Sequence, residues 1–211
     1  MFNILASFYP DKQSRILLCA HWDSRPDADK DPDPANHDKP VPGANDGASG
    51  VAVLLEVARI LNEHEPPVGV DIAFFDGEDG GDYNSDDTWL LGSRHFAQIM
   101  PLSYQPRYAI LLDMIGDKEL SLTREHYSLK SSPYLWSTIV KYADTIGIPL
   151  SSETHGIIDD HIPLIERGIS AVDLIDFDYA SWHTVSDTPD KCSALSLGKI
   201  GELVLTIIYR E

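Results

Sequence analysis

Short, nearly all-apolar runs alternate along the chain with amphipathic stretches of helical period, and polar turns separate the two kinds. Residues 2–9 and 15–21 are apolar runs divided by Pro10-Asp11-Lys12-Gln13-Ser14, a pattern that predicts a β-hairpin. Residues 22–46 then carry Asp, Pro and Asn with almost nothing apolar, and a connection of that length is usually functional or mobile. Over 47–64, Val51, Leu54, Leu55, Ala58 and Leu61 recur at helical spacing, with Asp46 placed to cap the helix. A strand is expected over 68–75, an acidic glycine-rich loop over 77–87, a helix over 89–100 stopped by Pro101, and a buried strand over 108–113. Leu120 and Leu122 suggest one more short strand. Helices follow over 133–146, ended by Gly147, and over 161–167, closed by Gly168, then a strand over 171–175 and a terminal amphipathic helix over 194–209.

Strands alternating with helices argue for the α/β class, a mixed and mostly parallel central sheet with helices on both faces. No linker, repeat or low-complexity block divides the chain, so residues 1–211 are expected to form a single domain. With 43% hydrophobic and 24% charged residues the chain can bury a sizeable core, which excludes disorder, collagen and coiled coil. Lys and Arg number 16 against 34 Asp and Glu, and the net charge of −18 would repel a phosphate backbone or an anionic membrane. Nucleic acid is therefore not an expected partner. No apolar window is long enough for a membrane span, and the N-terminus lacks the basic start and apolar run of a signal peptide. Cys19 sits in the apolar run Ile16-Leu17-Leu18, where a buried thiol is expected, and a bridge to Cys192 stays open.

The groups that follow apolar strands are His21 with Asp23, Glu78 with Asp79, Asp113 and His183, while Asp46 stands at a helix start. In an open α/β sheet the site lies outside the carboxyl ends of the strands, so these residues can converge although they are far apart in sequence. Clustered carboxylates repel one another unless a cation neutralises them, and two imidazoles among them favour zinc over calcium or magnesium. Taken singly, Asp46 reads more readily as a helix cap and His21 as a loop histidine. The acidic residues Asp27, Asp29, Asp31 and Asp33 match no calcium-loop spacing and are read as a solvated acidic lid.

The runs CAHWDSRP, GANDGASGVAVLLEVAR, FFDGED, DTWLLGSRHF, LLDMIG, DDHIPLIERG and SWHTVSDT occur in this order and cover nearly the whole chain. As a set they resemble the zinc exopeptidase superfamily, which contains the dizinc aminopeptidases and the animal-type glutaminyl-peptide cyclotransferases. Trp182 directly before His183, the DDHIP run from Asp159 and the GSRH helix are similar to the cyclotransferase branch in particular. The resemblance implies a zinc exopeptidase-like α/β sandwich with zinc on Asp46, Asp79 and His183 and a fourth position open for substrate or water. It implies Glu78 as the proton shuttle, Asp113 and Asp159 as an acidic hydrogen-bond pair around the reacting nitrogen, and Trp182 as a wall of the pocket. His21 and Asp113 stand where aminopeptidases bind a second zinc, with Asp46 bridging, so one zinc is expected and two can be accommodated.

The implied substrate is a peptide or protein with an N-terminal glutamine, cyclised to pyroglutamate with loss of ammonia. The alternative is a dizinc metallo-aminopeptidase, in which the same ligands activate a water and Glu78 takes its proton. A binding module without catalysis would be expected to lack the base, yet Glu78 is present. Three departures from the resemblance stand out. Position 79 is Asp where most of the superfamily has Glu, so the ligand carboxylate is one methylene shorter. The aromatic wall that animal cyclotransferases place after the acidic pair has no Trp at that place, and Tyr83 is the substitute. Relatives also carry a helical segment ahead of the first strand; by resemblance the protein is expected to be exported or periplasmic, its signal lost with that segment.

Overall fold

The computed structural model describes residues 2–82 and 84–210. Its elements in chain order are β1 (Ile4–Phe8), β2 (Arg15–His21), α1 (Ala48–Glu63), β3 (Gly69–Phe75), α2 (Leu91–Ile99), β4 (Ala109–Asp113), β5 (Leu122–Glu125), α3 (His126–Ser131), α4 (Pro133–Ile146), β6 (Leu150–His155), α5 (His161–Glu166), β7 (Ala171–Ile175) and α6 (Ala194–Arg210). Every residue of β3, β4 and β7 is buried, as befits strands covered on both faces. The main sheet runs β1-β3-β2-β4-β7, with β2, β3, β4 and β7 mutually parallel and β1 antiparallel on the edge. The fold is thus mixed α/β with a mostly parallel sheet, as the sequence pattern predicts.

Successive residues of β2 point to opposite faces and each face has its own core. Ile16, Leu18 and Ala20 pack with Leu54 and Val57 of α1, Ile139 of α4 and Val204 of α6. Leu17 and Cys19 pack with Phe96 of α2 and Leu164 of α5. Cys19 and Cys192 are both free thiols, so the bridge left open by the sequence does not form.

Four expectations are corrected. β1 and β2 are not a hairpin, because β3 lies between them. β1 is largely exposed, and the fully apolar β2 and β3 bury more by pairing with each other. Arg15 fixes this arrangement by donating to the carbonyls of Phe8 and Tyr9 and to both carboxylate oxygens of Asp71. Asp46 does not cap α1: Gly47 is the cap residue and no side chain caps it. Within α1 the buried stripe is Val53, Leu54, Val57 and Leu61, whereas Leu55 is exposed. Finally, the acidic segment 22–46 is not a solvated lid. Arg25, Ala28, Asp31 and Val41 in it are buried, and Asp31 accepts from the backbone of Val185 at 3.1 Å, tying the segment to the loop that carries His183.

The short strand suggested by Leu120 and Leu122 is β5, paired in parallel with β6, which the sequence pattern does not announce. Among the described residues no helix is long and apolar enough to cross a membrane.

Candidate metal centre

Parallel pairing brings the chemistry to one edge of the sheet. The β2–β4 register sets Cys19 opposite Leu111, so two residues further on His21 meets Asp113, and its Nε2 lies 3.1 Å from Asp113 Oδ1. Glu78 and Asp79 follow the end of β3, where Asp23 accepts from both of their backbone N–H groups at 3.2 and 3.0 Å. Asp46 arrives from the start of α1 over a cis Asp46-Gly47 peptide. Gly47 must be glycine, since a Cβ there would lie 2.3 Å from the His21 ring. His183 comes from the loop after β7 with φ of 54°, a left-handed conformation costly for a residue with a side chain.

Asp46 stands between two imidazoles. Its Oδ1 lies 3.1 Å from His21 Nε2, and its Oδ2 lies 3.5 Å from His183 Nε2. His183 Nε2 is also 3.4 Å from Asp79 Oδ1. Asp46, Asp79 and His183 form one buried group able to hold a metal, His21, Asp46 and Asp113 a second that shares Asp46, and Asp159, His161 and Asp173 a separate third. Tetrahedral zinc with ligands about 2.0–2.2 Å away sets those ligands roughly 3.3–3.6 Å apart, the spacing seen around His183. Asp46 Oδ2 and Asp79 Oδ2 are buried without hydrogen-bond partners, which is costly for carboxylate oxygens unless a cation takes the place of water. The donor set therefore fits zinc.

These contacts displace the titration of nearly every group. Burial raises Asp46 and carries Asp113 up to about 6, although His21 opposes both. Burial would also raise Asp79, but hydrogen bonds to His183 and Arg25 and the charges of His21 and His183 hold it low. Glu78, half-buried beside the cluster, is pushed well above the carboxylate range by burial and then by the charge of Asp79. Asp159 rises to about 7 through burial and the charge of Asp113.

Behind the cluster, the DDH run and the GSRH helix meet: Ser93 of α2 donates to Asp160 at 2.5 Å. His161 Nε2 lies 3.2 Å from Glu125, whose carboxylate also accepts from the backbone of Tyr127 and Ser128. His161 and these hydrogen bonds outweigh burial and hold Glu125 down at about 2. Asp160 and Asp173, buried beside Asp159, are raised well above the carboxylate range, first by burial.

Raised carboxyl groups stabilise the fold below their unfolded value and lose that contribution as pH climbs through the folded value. With Asp113 at about 6 and Asp159 at about 7, the window for zinc-free protein runs from acid to neutral pH. Chelated protein should therefore melt on the order of 5 °C lower at about pH 8 than at about pH 5.5, and added zinc should flatten the slope by neutralising the cluster. Calorimetry across that range checks the sign. A chelated protein that grew more stable with rising pH would contradict the assignment.

A cavity of about 160 Å³ opens beside the cluster, lined among others by Glu78, Asp113, Asp159, Ile157, Phe177, Trp182 and Trp89. The Trp182 ring lies 5.1 Å from Phe177 and 4.0 Å from the His183 imidazole, centroid to centroid. Tyr83, the substitute wall, lies outside the described residues. The second aromatic in the lining is Trp89, which sequence reading treats as the first residue of a helix; α2 begins only at Leu91, which leaves Trp89 on the loop facing the pocket. Arg25, which donates to Asp79 Oδ1 at 2.8 Å and stacks 4.8 Å from the Trp89 ring, is also missed by sequence reading, because one cation in an acidic loop reads as solvated.

Comparison with known proteins adds names to this geometry. The family model described as Peptidase family M28 matches residues 3–208. The chain is 28% identical to aminopeptidase YwaD of Bacillus subtilis over 92% of this chain and 40% of that one. It is 25% identical to glutaminyl-peptide cyclotransferase of Bos taurus over 98% of this chain and 65% of that one. The chain thus spans between 40% and 65% of the length of these two relatives. Among solved structures, a leucine aminopeptidase precursor from Bacteroides thetaiotaomicron superposes with a TM-score of 0.94 at 38% identity, covering 99% of this chain and 76% of that one. The glutaminyl cyclase of Bacteroides thetaiotaomicron bound to N-acetylhistamine gives 0.93 at 37%, covering 99% and 77%. A Zn-dependent exopeptidase from Parabacteroides distasonis gives 0.92 at 37%, with the same coverage.

Proposed function

The chain belongs to peptidase family M28, and from that premise we propose that it is a zinc enzyme that cyclises the N-terminal glutamine of peptides or proteins to pyroglutamate and releases ammonia. The observation that carries this reading is the size and lining of the pocket beside the cluster. At about 160 Å³ it is smaller than the roughly 300–1,000 Å³ of sites that take drug-sized ligands, and Trp182, Trp89 and Phe177 wall it. It suits one side chain folded against its own amine. Glutaminyl cyclases among the relatives and solved structures support the same reading.

In the reaction, the α-nitrogen bonds to the γ-carbonyl carbon and the bond from that carbon to the amide nitrogen breaks. Both reactants sit on one residue, so holding them in attack geometry is a large part of the task, up to about 7–11 kcal/mol by effective-molarity arguments. Asp46, Asp79 and His183 would hold the zinc, which when bound would supply polarisation of the carbonyl and stabilisation of its developing charge. Glu78 takes the proton from the amine and returns it to the departing nitrogen. Its raised titration, from burial and from Asp79, is the kind of tuning that a group acting as base and then acid requires. Asp113 and Asp159, both buried against the pocket, accept hydrogen bonds from the amine and fix its position. Trp182 and Trp89 keep out the water that would otherwise hydrolyse the amide.

Hydrolysis by an aminopeptidase is the second reading, favoured by one specific observation: His21, Asp46 and Asp113 form a second metal-competent group. Two peptides separate the readings. A peptide beginning with Gln should lose ammonia, about 17 Da by mass spectrometry, with its peptide bonds intact, and a peptide beginning with Leu should be untouched. Release of free leucine without pyroglutamate would transfer the assignment to the aminopeptidase.

The pocket wall gives a further expected result. Trp182 is half-buried against Phe177 and His183, so Trp182→Ala removes contact area from the substrate more than from the core. The Michaelis constant for a Gln-peptide should rise about tenfold, the equivalent of about 1.4 kcal/mol, with the melting temperature nearly unchanged. A collapse in melting temperature with an unchanged Michaelis constant would make Trp182 ordinary core.

A further inference from the structure

Beyond its ligands, the metal group is enclosed by a ring of side chains from the acidic segment. His183 turns Nε2 toward Asp46 and Asp79, while its other nitrogen, Nδ1, is buried without a hydrogen-bond partner and lies 3.5 Å from Asp29 Oδ1, within ion-pair reach. The same Asp29 oxygen accepts from Arg25 Nε at 2.8 Å, and Arg25 Nη1 donates to Asp79 Oδ1 at 2.8 Å. Asp29, Arg25, Asp79 and His183 thus close a circuit in which two members are metal ligands and two are not. Backbone contacts hold the circuit in place: Lys30 N–H donates to the His183 carbonyl at 3.2 Å, and Val185 N–H to Asp31.

A histidine that ligates through one nitrogen commonly donates its other N–H to a carboxylate, which fixes tautomer and ring orientation and makes the ligating nitrogen more basic. We propose that Asp29 is a positioning residue of this kind, acting on both ligands: on His183 directly and on Asp79 through Arg25. Its carboxylate favours the tautomer that keeps the proton on Nδ1 and so leaves Nε2 with its lone pair toward the metal. Through Arg25 it anchors Asp79, the other ligand on that side of the group. Asp27, two residues earlier, is exposed and carries the same charge without facing a ligand, which makes it the matched control.

The proposal rests on the reading that zinc sits on Asp46, Asp79 and His183, and the test separates the two. Zinc affinity is measured by competition with a chromophoric chelator for wild-type, Asp29→Ala, Asp29→Asn and Asp27→Ala proteins, alongside the melting temperature of each metal-free protein. Asp29→Ala should bind zinc about 10-fold to 100-fold more weakly than wild type. Asp29→Asn should fall between the two, because an amide oxygen still faces Nδ1 and accepts from Arg25 but lacks the charge. Asp27→Ala should match wild type. If metal-free Asp29→Ala melts well below wild type, Asp29→Asn with a normal melting temperature decides: weakened zinc affinity supports the role. Normal affinity in that variant overturns it, as does an equal loss in Asp27→Ala. A wild-type protein that takes up no zinc overturns the metal reading itself.

Discussion

Glu78→Gln is expected to take up zinc like the wild-type protein and to turn over a Gln-peptide roughly 100-fold to 10,000-fold more slowly, the range for loss of a general acid–base group. Glutamine keeps the shape of the side chain and removes its capacity to carry the proton. The backbone of residue 78 stays anchored, because its N–H donates to Asp23 and its carbonyl accepts from Leu90. Zinc should be retained, since Glu78 belongs to none of the candidate metal groups among the described residues. Metal analysis and steady-state rates on the same preparation check both halves. Near-normal turnover would move the shuttle elsewhere, with Asp159 next in line because it too lines the pocket and titrates at about 7.

Much of this centre is legible in the sequence because of how parallel strands present their ends. An apolar run buried on both faces must stop where polar groups begin, so His21, Glu78, Asp79 and Asp113 mark the carboxyl edge of the sheet from the pattern alone. The pairing of those strands is another matter. The intervening turn proposes β1 and β2 as partners, but burying β2 between β3 and β4 removes more apolar surface from water, and that choice depends on residues distant in the chain. β6 is illegible for a simpler reason: LSSETH has neither an apolar run nor alternation, and its pairing with β5 supplies what its side chains do not. Arg25, Asp29 and Trp89 are hidden because their role lies in contacts between loops. Composition averages the segment 22–46 to an acidic, solvated stretch, whereas Arg25 and Asp31 in it are buried and fully engaged.

Asp46→Ala should abolish metal binding at the His183 and His21 groups, because its two carboxylate oxygens face different imidazoles, Oδ1 at 3.1 Å from His21 and Oδ2 at 3.5 Å from His183. Among the described residues no other belongs to both the His183 and the His21 groups. Activity should fall by at least the roughly 10,000-fold upper end of a lost proton shuttle, since carbonyl polarisation and substrate orientation go with the metal. A readout independent of turnover follows from linkage. Zinc at about 1,000 times its dissociation constant stabilises the native state by about 4 kcal/mol, which for a chain of this size raises the melting temperature by about 8–16 °C. Wild-type protein should show that rise on titration, Asp46→Ala should show none, and Glu78→Gln should behave as wild type. Asp113→Ala then distinguishes one metal from two. Asp113 belongs only to the group with His21, so a one-zinc enzyme keeps its full zinc content and thermal shift in this variant, and a two-zinc enzyme loses one equivalent. Asp46→Ala that still bound zinc with wild-type affinity would mean that the ion sits elsewhere, and the arrangement drawn around His183 would fall with it.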